Sequence, residues 1–223
     1  MPLRPQLLAE IQAAIGPAMV PNLTVASAGS DLFEGFILSL VLRAAAAESA
    51  LITFENVDAS VTNDFTFRTS PGHIWWDSRP FTHAIIRFAN KPSLEAHTGI
   101  YIAGTSGVTH EADVVVLQRD EAETCRQRHA APRYSKVILA SECKFYSTTP
   151  GLYLGRGFLG LCSELSGRDC FFVTNTVAPS VERLLSHKKK KWDHRIVPGS
   201  PNDVTRLQNV FQDIFKIFNA KGT

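Results

Sequence analysis

The chain reads as an α/β fold carrying a β-rich insertion, and three features of its 223 residues predict this. From about residue 109 onward, strand-like apolar runs alternate with segments of helical period, as in a layered α/β domain. The run Val114-Val115-Val116-Leu117 has no polar alternation, which marks a central strand covered on both faces. Between the first helices and that strand, residues 51–105 change texture to short β-type runs separated by turn residues.

The elements follow in order. Residues 3–15 form a short amphipathic helix stopped by Gly16-Pro17. A stronger helix spans Ser30 to Ala50, with Ser30 as N-cap and an apolar stripe of Phe33, Ile37, Leu40 and Val41. Leu51–Glu55, Asp64–Arg68, His83–Phe88 and Thr98–Ala103 are the β-type runs, punctuated by Asn63, Ser70-Pro71-Gly72 and Lys91-Pro92-Ser93. They form antiparallel sheet that either extends the core or makes a side lobe. Trp75-Trp76 within it are expected to be packing residues rather than base-stacking platforms. His110–Leu117 is a strand, Asp120–Ala131 a short polar helix or loop, and Lys136–Tyr146 a strand. Leu152–Leu165 is a helix entered through Pro150-Gly151, Asp169–Thr176 a strand and Ser180–Lys191 a helix, followed by a short run at Arg195–Pro198. The last helix, Asn202–Asn219, carries Val204, Leu207, Val210, Phe211, Ile214, Phe215 and Phe218 at helical spacing. With no internal repeat and no low-complexity linker, residues 1–223 read as a single domain.

Composition bounds the function. Hydrophobic residues make up 44% and charged residues 20%, which excludes disordered, collagenous and coiled-coil classes. A formal net charge of +2 excludes a binder whose whole surface is basic, but not a local basic groove. Cys125, Cys143, Cys162 and Cys170 lack zinc-ribbon spacing and a disulfide-dense pattern, so reduced thiols and a cytoplasmic location are expected. The N-terminal Met1-Pro2-Leu3-Arg4-Pro5-Gln6 lacks the apolar core of a signal peptide. The most apolar stretch, Leu32 to Ala47, is interrupted by Glu34 and Arg43 and is too short to span a bilayer, so no membrane partner is expected.

Two strands contain carboxylates where a buried strand normally has none. Asp113 leads directly into Val114–Leu117. Glu142-Cys143-Lys144 ends the apolar run Val137–Ala140. Alternate strand residues share a face, so Glu142 and Lys144 point one way and Cys143 the other. If the strands are neighbours, two carboxylates and an ammonium converge. Adjacent carboxylates repel, and a hard divalent cation removes that penalty. A lysine beside them can steady an attacking water or the charge developing on a phosphate. This combination suits metal-assisted phosphodiester hydrolysis; the plainer alternative is a salt-bridge cluster at strand ends.

An Asp, a 28-residue spacer and then Glu-x-Lys on a following strand resembles the PD-(D/E)xK, or restriction-endonuclease-like, nuclease superfamily. The resemblance spans roughly residues 30–192 and implies an α-β-β-β-α-β core with a mixed central sheet flanked by helices. Ala112 stands where the motif often has proline, and Glu111 shares the face of Asp113 as either an extra ligand or an exposed strand-end acid. The resemblance further implies that Asp113 and Glu142 ligate Mg²⁺ (Mn²⁺ substituting), with the Cys143 carbonyl as third protein ligand. Lys144 would orient water, and Glu34 on the preceding helix would hold a metal-bound water or a second metal. Asp113, Glu142, Lys144 and Glu34 are thus the catalytic set, and in-line attack would leave a 5′-phosphate.

The sharpest charge feature is residues 187–195, where Lys188, Lys189, Lys190, Lys191 and Arg195 face one acid, Asp193. This segment is formally +4 and the rest of the chain −2. It reads as a solvated helix end or as a surface for DNA phosphates, with Trp192 packing on the helix or stacking on a base. Arg156, early in a helix, is a further phosphate contact, and Asn175 could line the cleft. The expected function is a metal-dependent DNA endonuclease of restriction or anti-phage defence type, acting as a homodimer or with a partner protein. The alternative is a latent or inactive nucleic-acid-binding or assembly module of the same fold, activated by a partner or a nucleotide ligand.

Overall fold

The structure, a computed structural model, describes residues 2–78 and 80–221, so Met1 of the N-terminal run discussed above lies outside the described residues. The chain begins with α1 (Leu3–Ile15), β1 (Val20–Pro21), α2 (Gly29–Ala47), β2 (Leu51–Asn56), β3 (Asp64–Phe65), β4 (Thr82–Arg87) and β5 (Leu94–Ala103). It continues through β6 (Thr109–Gln118), α3 (Arg119–Arg128), β7 (Val137–Lys144), α4 (Leu152–Glu164) and β8 (Asp169–Thr174). It ends with α5 (Pro179–His187), β9 (Lys191–Asp193) and α6 (Pro201–Ala220).

Seven strands make one mixed sheet in the order β2-β4-β5-β6-β7-β8-β9. Neighbours from β2 to β7 pair antiparallel, whereas β7, β8 and β9 run parallel. The change follows from the connections: α4 and α5 supply the long crossovers that parallel neighbours need. Of the two placements open to residues 51–105, extension of the core holds for β2, β4 and β5. The Asp64–Arg68 run keeps only two strand residues, which pair with β1 in a separate small sheet.

Each face of the sheet has its own apolar layer. On one, Leu7 and Ile11 of α1, Leu32 to Ala45 of α2 and Leu207, Phe211 and Phe215 of α6 pack on Val114, Val116 and Leu139. On the other, Ala122 and Cys125 of α3, Phe158 of α4 and Val181 and Leu185 of α5 pack on Val115, Leu117 and Phe172. Phe33, Phe36, Phe211 and Phe215 are fully buried, each contributing roughly 1.5–3 kcal/mol of transfer free energy. Arg43 of α2 is answered by Glu10 at 2.6 Å.

Several expected boundaries move. Helix α2 starts at Gly29 with Ala28 as N-cap, and the Ser30 hydroxyl donates to Asp31 instead of capping. A Cβ on Gly29 would stand 2.4 Å from the Phe145 ring, so close packing decides that start. Helix α5 ends at His187 because Lys189 adopts a left-handed backbone, φ 52°. The following strand is then Lys191–Asp193, which pairs with β8, and not Arg195–Pro198. Trp75 lies stacked between His73 and His129, with centroids 5.0 and 4.6 Å away, as a packing residue.

Candidate active site at the fork between β6 and β7

The carboxylates meet where two strands part. Pairing of β6 with β7 stops at Val114↔Ser141, whereas β6 stays paired with β5 as far as Thr109. The next residues beyond the split are Asp113 and Glu142. On β5 the residue opposite Asp113 is Gly99, with φ +58°. Here β6 rotates: Val114 packs in the α2 layer, but Ala112, two residues earlier, packs in the opposite layer. A regular strand would keep both on one face. Asp113 stands at the rotation, buried, and its Oδ2 accepts the Cys143 N–H at 2.7 Å. The carboxylate thus replaces the backbone acceptor that the fork removes.

Lys144 lies between the two acids. Its Nζ is 2.7 Å from Glu142 Oε1 and 3.4 Å from Asp113 Oδ2. Cys143 is buried in the α2 layer, as strand alternation requires. The N–H and C=O of one strand residue point to the same side, so the Cys143 carbonyl also faces the fork.

Phe145 brings α2 over this end of the sheet. Its ring packs on Phe33 at 5.7 Å and against Gly29, which sets Glu34 one turn into the helix beside the fork. Burial, then the nearby carboxylates of Asp113, Asp31 and Glu111, push the Glu34 carboxyl up to about 9, against the opposing charge of Lys144. Glu142 is raised by burial and by Asp113. Glu111, exposed at the strand end, is raised by partial burial and then by Asp113, so it belongs to the same electrostatic field. Burial would lower Lys144, but Asp113 and Glu142 outweigh it and hold the ammonium well above the usual lysine range. Acids outnumber cations at the fork, and the site favours added positive charge.

Asp113, Glu142 and the Cys143 carbonyl offer hard oxygen donors, the set that suits Mg²⁺. Among the described residues, the ligand atoms of Glu34, Asp113 and Glu142 do not all lie mutually within 4.8 Å. The one group of three that meets this separation is elsewhere, at His83, Glu95 and His97. Asp31 was absent from the expected set, although its position three residues before Glu34 put it on the same helical face.

The expected phosphate contacts divide. Arg156 is exposed in α4, whose N-terminus follows the loop leaving the fork end of β7. Lys188, Lys189 and Lys190 are exposed and precede β9. The register Ser141↔Phe171↔Lys191 and Lys144↔Thr174 sets Lys191 about 10 Å back along the strands from Lys144. A pocket of about 140 Å³ there is lined by Cys162, Arg168, Cys170, Lys189, Lys190 and Lys191. Lys191 pairs with Asp169, and Arg195 pairs with Asp203 at 3.3 Å. Trp192 donates to the Ser186 hydroxyl at 2.8 Å, fastening β9 to α5. The Asn175 side chain makes two hydrogen bonds to the Tyr146 backbone, at 2.8 and 2.9 Å, extending the β7–β8 ladder.

Among the described residues, no helix is long and apolar enough to cross a membrane. Comparison of the chain with protein-family models, with curated proteins and with solved structures gave no match.

Proposed function

We propose that the chain is a Mg²⁺-dependent nuclease that hydrolyses DNA phosphodiester bonds, of restriction-endonuclease-like type. One observation carries the reading: Asp113 and Glu142 flank the mouth of a strand fork with Lys144 between them. The elements α2, β5, β6, β7, α4 and β8 can be matched to the α-β-β-β-α-β core of that superfamily, with β2–β4 inserted before β5 and α3 inserted between β6 and β7. Asp113, Glu142 and the Cys143 carbonyl would hold the ion. When bound, the ion supplies Lewis-acid charge to a phosphate oxygen. Lys144 donates to the attacking water or to the charge developing on the phosphate. Glu34, whose carboxyl burial and acidic neighbours raise in the metal-free protein, would hold a metal-bound water or a second metal. Arg156 is the cation best located to contact the backbone of a strand entering there. A role in restriction or anti-phage defence, action as a homodimer or with a partner protein, and a cytoplasmic location complete the proposal.

A second reading, a latent member of the same fold released by a partner or nucleotide ligand, draws on one fact. The Lys144 ammonium already pairs with both carboxylates. Incubation with supercoiled and linear DNA in Mg²⁺ or Mn²⁺ separates the readings, run beside Glu142→Ala and Lys144→Ala. Metal-dependent cleavage by wild type alone establishes the enzyme. Equal cleavage by all three removes the site assignment. Silence in all three leaves the latent reading.

A further inference from the structure

A second cluster lies on the same sheet, and it is independent of the nuclease reading. Pairing of β4 with β5 runs from Ile86↔Leu94 to Ala84↔Ala96 and then stops. His83 and His97 are the next opposed residues, just beyond the end of that ladder, and Glu95 shares the face of His97 two residues away. That face is opposite α2, since Ala84 and Ala96 pack in the α2 layer.

All three side chains are at most 1% exposed. Glu95 Oε2 is 2.9 Å from His97 Nε2 and 3.6 Å from His83 Nε2. The imidazoles stack with centroids 4.7 Å apart and planes within 19°. Buried polar atoms ordinarily have partners. Here His83 Nδ1, His83 Nε2 and His97 Nδ1 have none among the described residues. His83 Nε2 is therefore a buried, unpartnered nitrogen beside a carboxylate oxygen.

The geometry points to a zinc-type divalent ion held by His83 Nε2, Glu95 Oε2 and His97 Nε2, clasping β4 to β5 where their ladder ends. Two imidazole nitrogens and one carboxylate oxygen form a borderline donor set that favours Zn²⁺. Mg²⁺ is disfavoured, because it keeps its waters and wants an oxygen octahedron that a desolvated three-ligand site cannot provide. Arg126 donates to Glu95 through two bonds of 2.8 and 2.7 Å and fixes the carboxylate, the part played by residues behind a metal ligand. Each carboxylate oxygen has two lone pairs, so Oε2 can serve Arg126 and the ion together. The hydrogen that His97 Nε2 shares with Glu95 without metal gives way to the ion, and the neutral ring carries its proton on Nδ1.

The test strips purified full-length protein with a chelator, then titrates Zn²⁺ against a chromophoric competitor and counts bound metal by elemental analysis. One Zn²⁺ per chain is expected in wild type and in Glu142→Gln, with loss in His83→Gln and weakening of about 10- to 100-fold in Arg126→Met. Co²⁺ in wild-type protein should give visible d–d bands without a thiolate charge-transfer band. Several results overturn the site: no retained metal in wild type, undiminished binding in His83→Gln, loss in Glu142→Gln, or a thiolate band placing the ion on cysteines. The cobalt spectrum needs only wild-type protein, so a His83 variant that does not fold leaves the test decisive. Cleavage activity is no part of the readout, so failure of the nuclease reading and failure of this site remain distinguishable.

Discussion

The fork and the β4–β5 cluster are two ways of burying charge on one sheet. At the fork, Asp113, Glu142 and Glu34 share one ammonium, and burial with mutual repulsion raises the Glu34 and Glu142 carboxyls. At the second cluster one carboxylate faces two arginines, Arg126 at 2.7 Å and Arg119 at 3.9 Å. Burial pushes Glu95 up, but hydrogen bonds from Arg126 and His97 outweigh it and hold the carboxyl well below its usual range. Burial, then His97, presses His83 down to about 3, against the pull of Glu95. The first cluster stores repulsion that a bound cation would relieve. The second satisfies its acid and leaves neutral nitrogens over. Unbalanced acids at a partly exposed strand fork suit catalysis, whereas a closed cluster whose acid is paired suits architecture.

The largest expected difference is in activity. Lys144→Ala or Glu142→Ala should cost about 10²- to 10⁴-fold in metal-dependent DNA cleavage, whereas Arg126→Met should leave cleavage by folded protein within a few-fold. Comparable losses in all three would erase the functional distinction between the clusters. Stability should reverse the ranking. Glu95→Ala leaves Arg126 without its carboxylate and should destabilise by about 3–5 kcal/mol in denaturant unfolding. Glu34→Gln removes a carboxyl that its neighbours repel and should be neutral or stabilising by about 0.5–2 kcal/mol. A strongly destabilised Glu34→Gln would mean that the fork acids are structural.

The pH dependence of metal-free protein should also run in opposite directions. Glu34 is raised from about 4.5 to about 9 on folding. The folded state therefore binds the extra proton between those values, and this contribution to stability is present below 4.5 and lost as pH rises toward 9. His83 is lowered from 6.5 to about 3. There the unfolded state binds the extra proton, so stability is present above 6.5 and lost as pH falls toward 3. Unfolding measured from pH 4 to 9 should flatten on the alkaline side in Glu34→Gln and on the acid side in His83→Gln. Unchanged slopes in both variants would mean that neither group is perturbed.

The two clusters were not equally legible in the sequence. Asp113 and Glu142-Cys143-Lys144 could be found because each interrupts an apolar strand that periodicity already marks. Glu34 stood out as an acid among Leu32, Phe33 and Phe36. The β4–β5 cluster was hidden by the same logic. Glu95 and His97 follow Pro92-Ser93 and look like loop, so the strand was expected at Thr98 and not at Leu94. What makes them strand residues is the ladder with β6, where Glu95 pairs with Leu117 and His97 with Val115, and no local pattern contains that pairing. The rotation at Gly99 and the start of α2 at Gly29 are likewise set by contacts distant in sequence, with Asp113 and Phe145. The fold class and the fork acids were local signals; their separations, and the second cluster, were not.

The smallest effect concerns which cations serve the fork. Lys188, Lys189 and Lys190 carry the sharper sequence signal, but they precede a strand that enters the sheet level with Ser141. Arg156 is a single cation, yet its helix begins at the fork end. Removing one cation that neutralises a DNA phosphate should reduce the slope of log K against log salt by about 0.9. Arg156→Ser should therefore lower the slope by about that amount and weaken cleavage along with binding. Replacing Lys188–Lys190 with serine should lower it by up to about three times as much if duplex wraps past the sheet edge, and leave it unchanged if only the fork is gripped. The informative quantity is the ratio of cleavage loss to binding loss. A cation beside the fork changes where the scissile phosphate rests, so its removal costs more in cleavage than in affinity. A cation at the far end tethers without positioning, so its removal costs affinity alone. Equal ratios for the two variants would show that the basic run and Arg156 grip one continuous path, and that the charge-rich segment belongs to the fork after all.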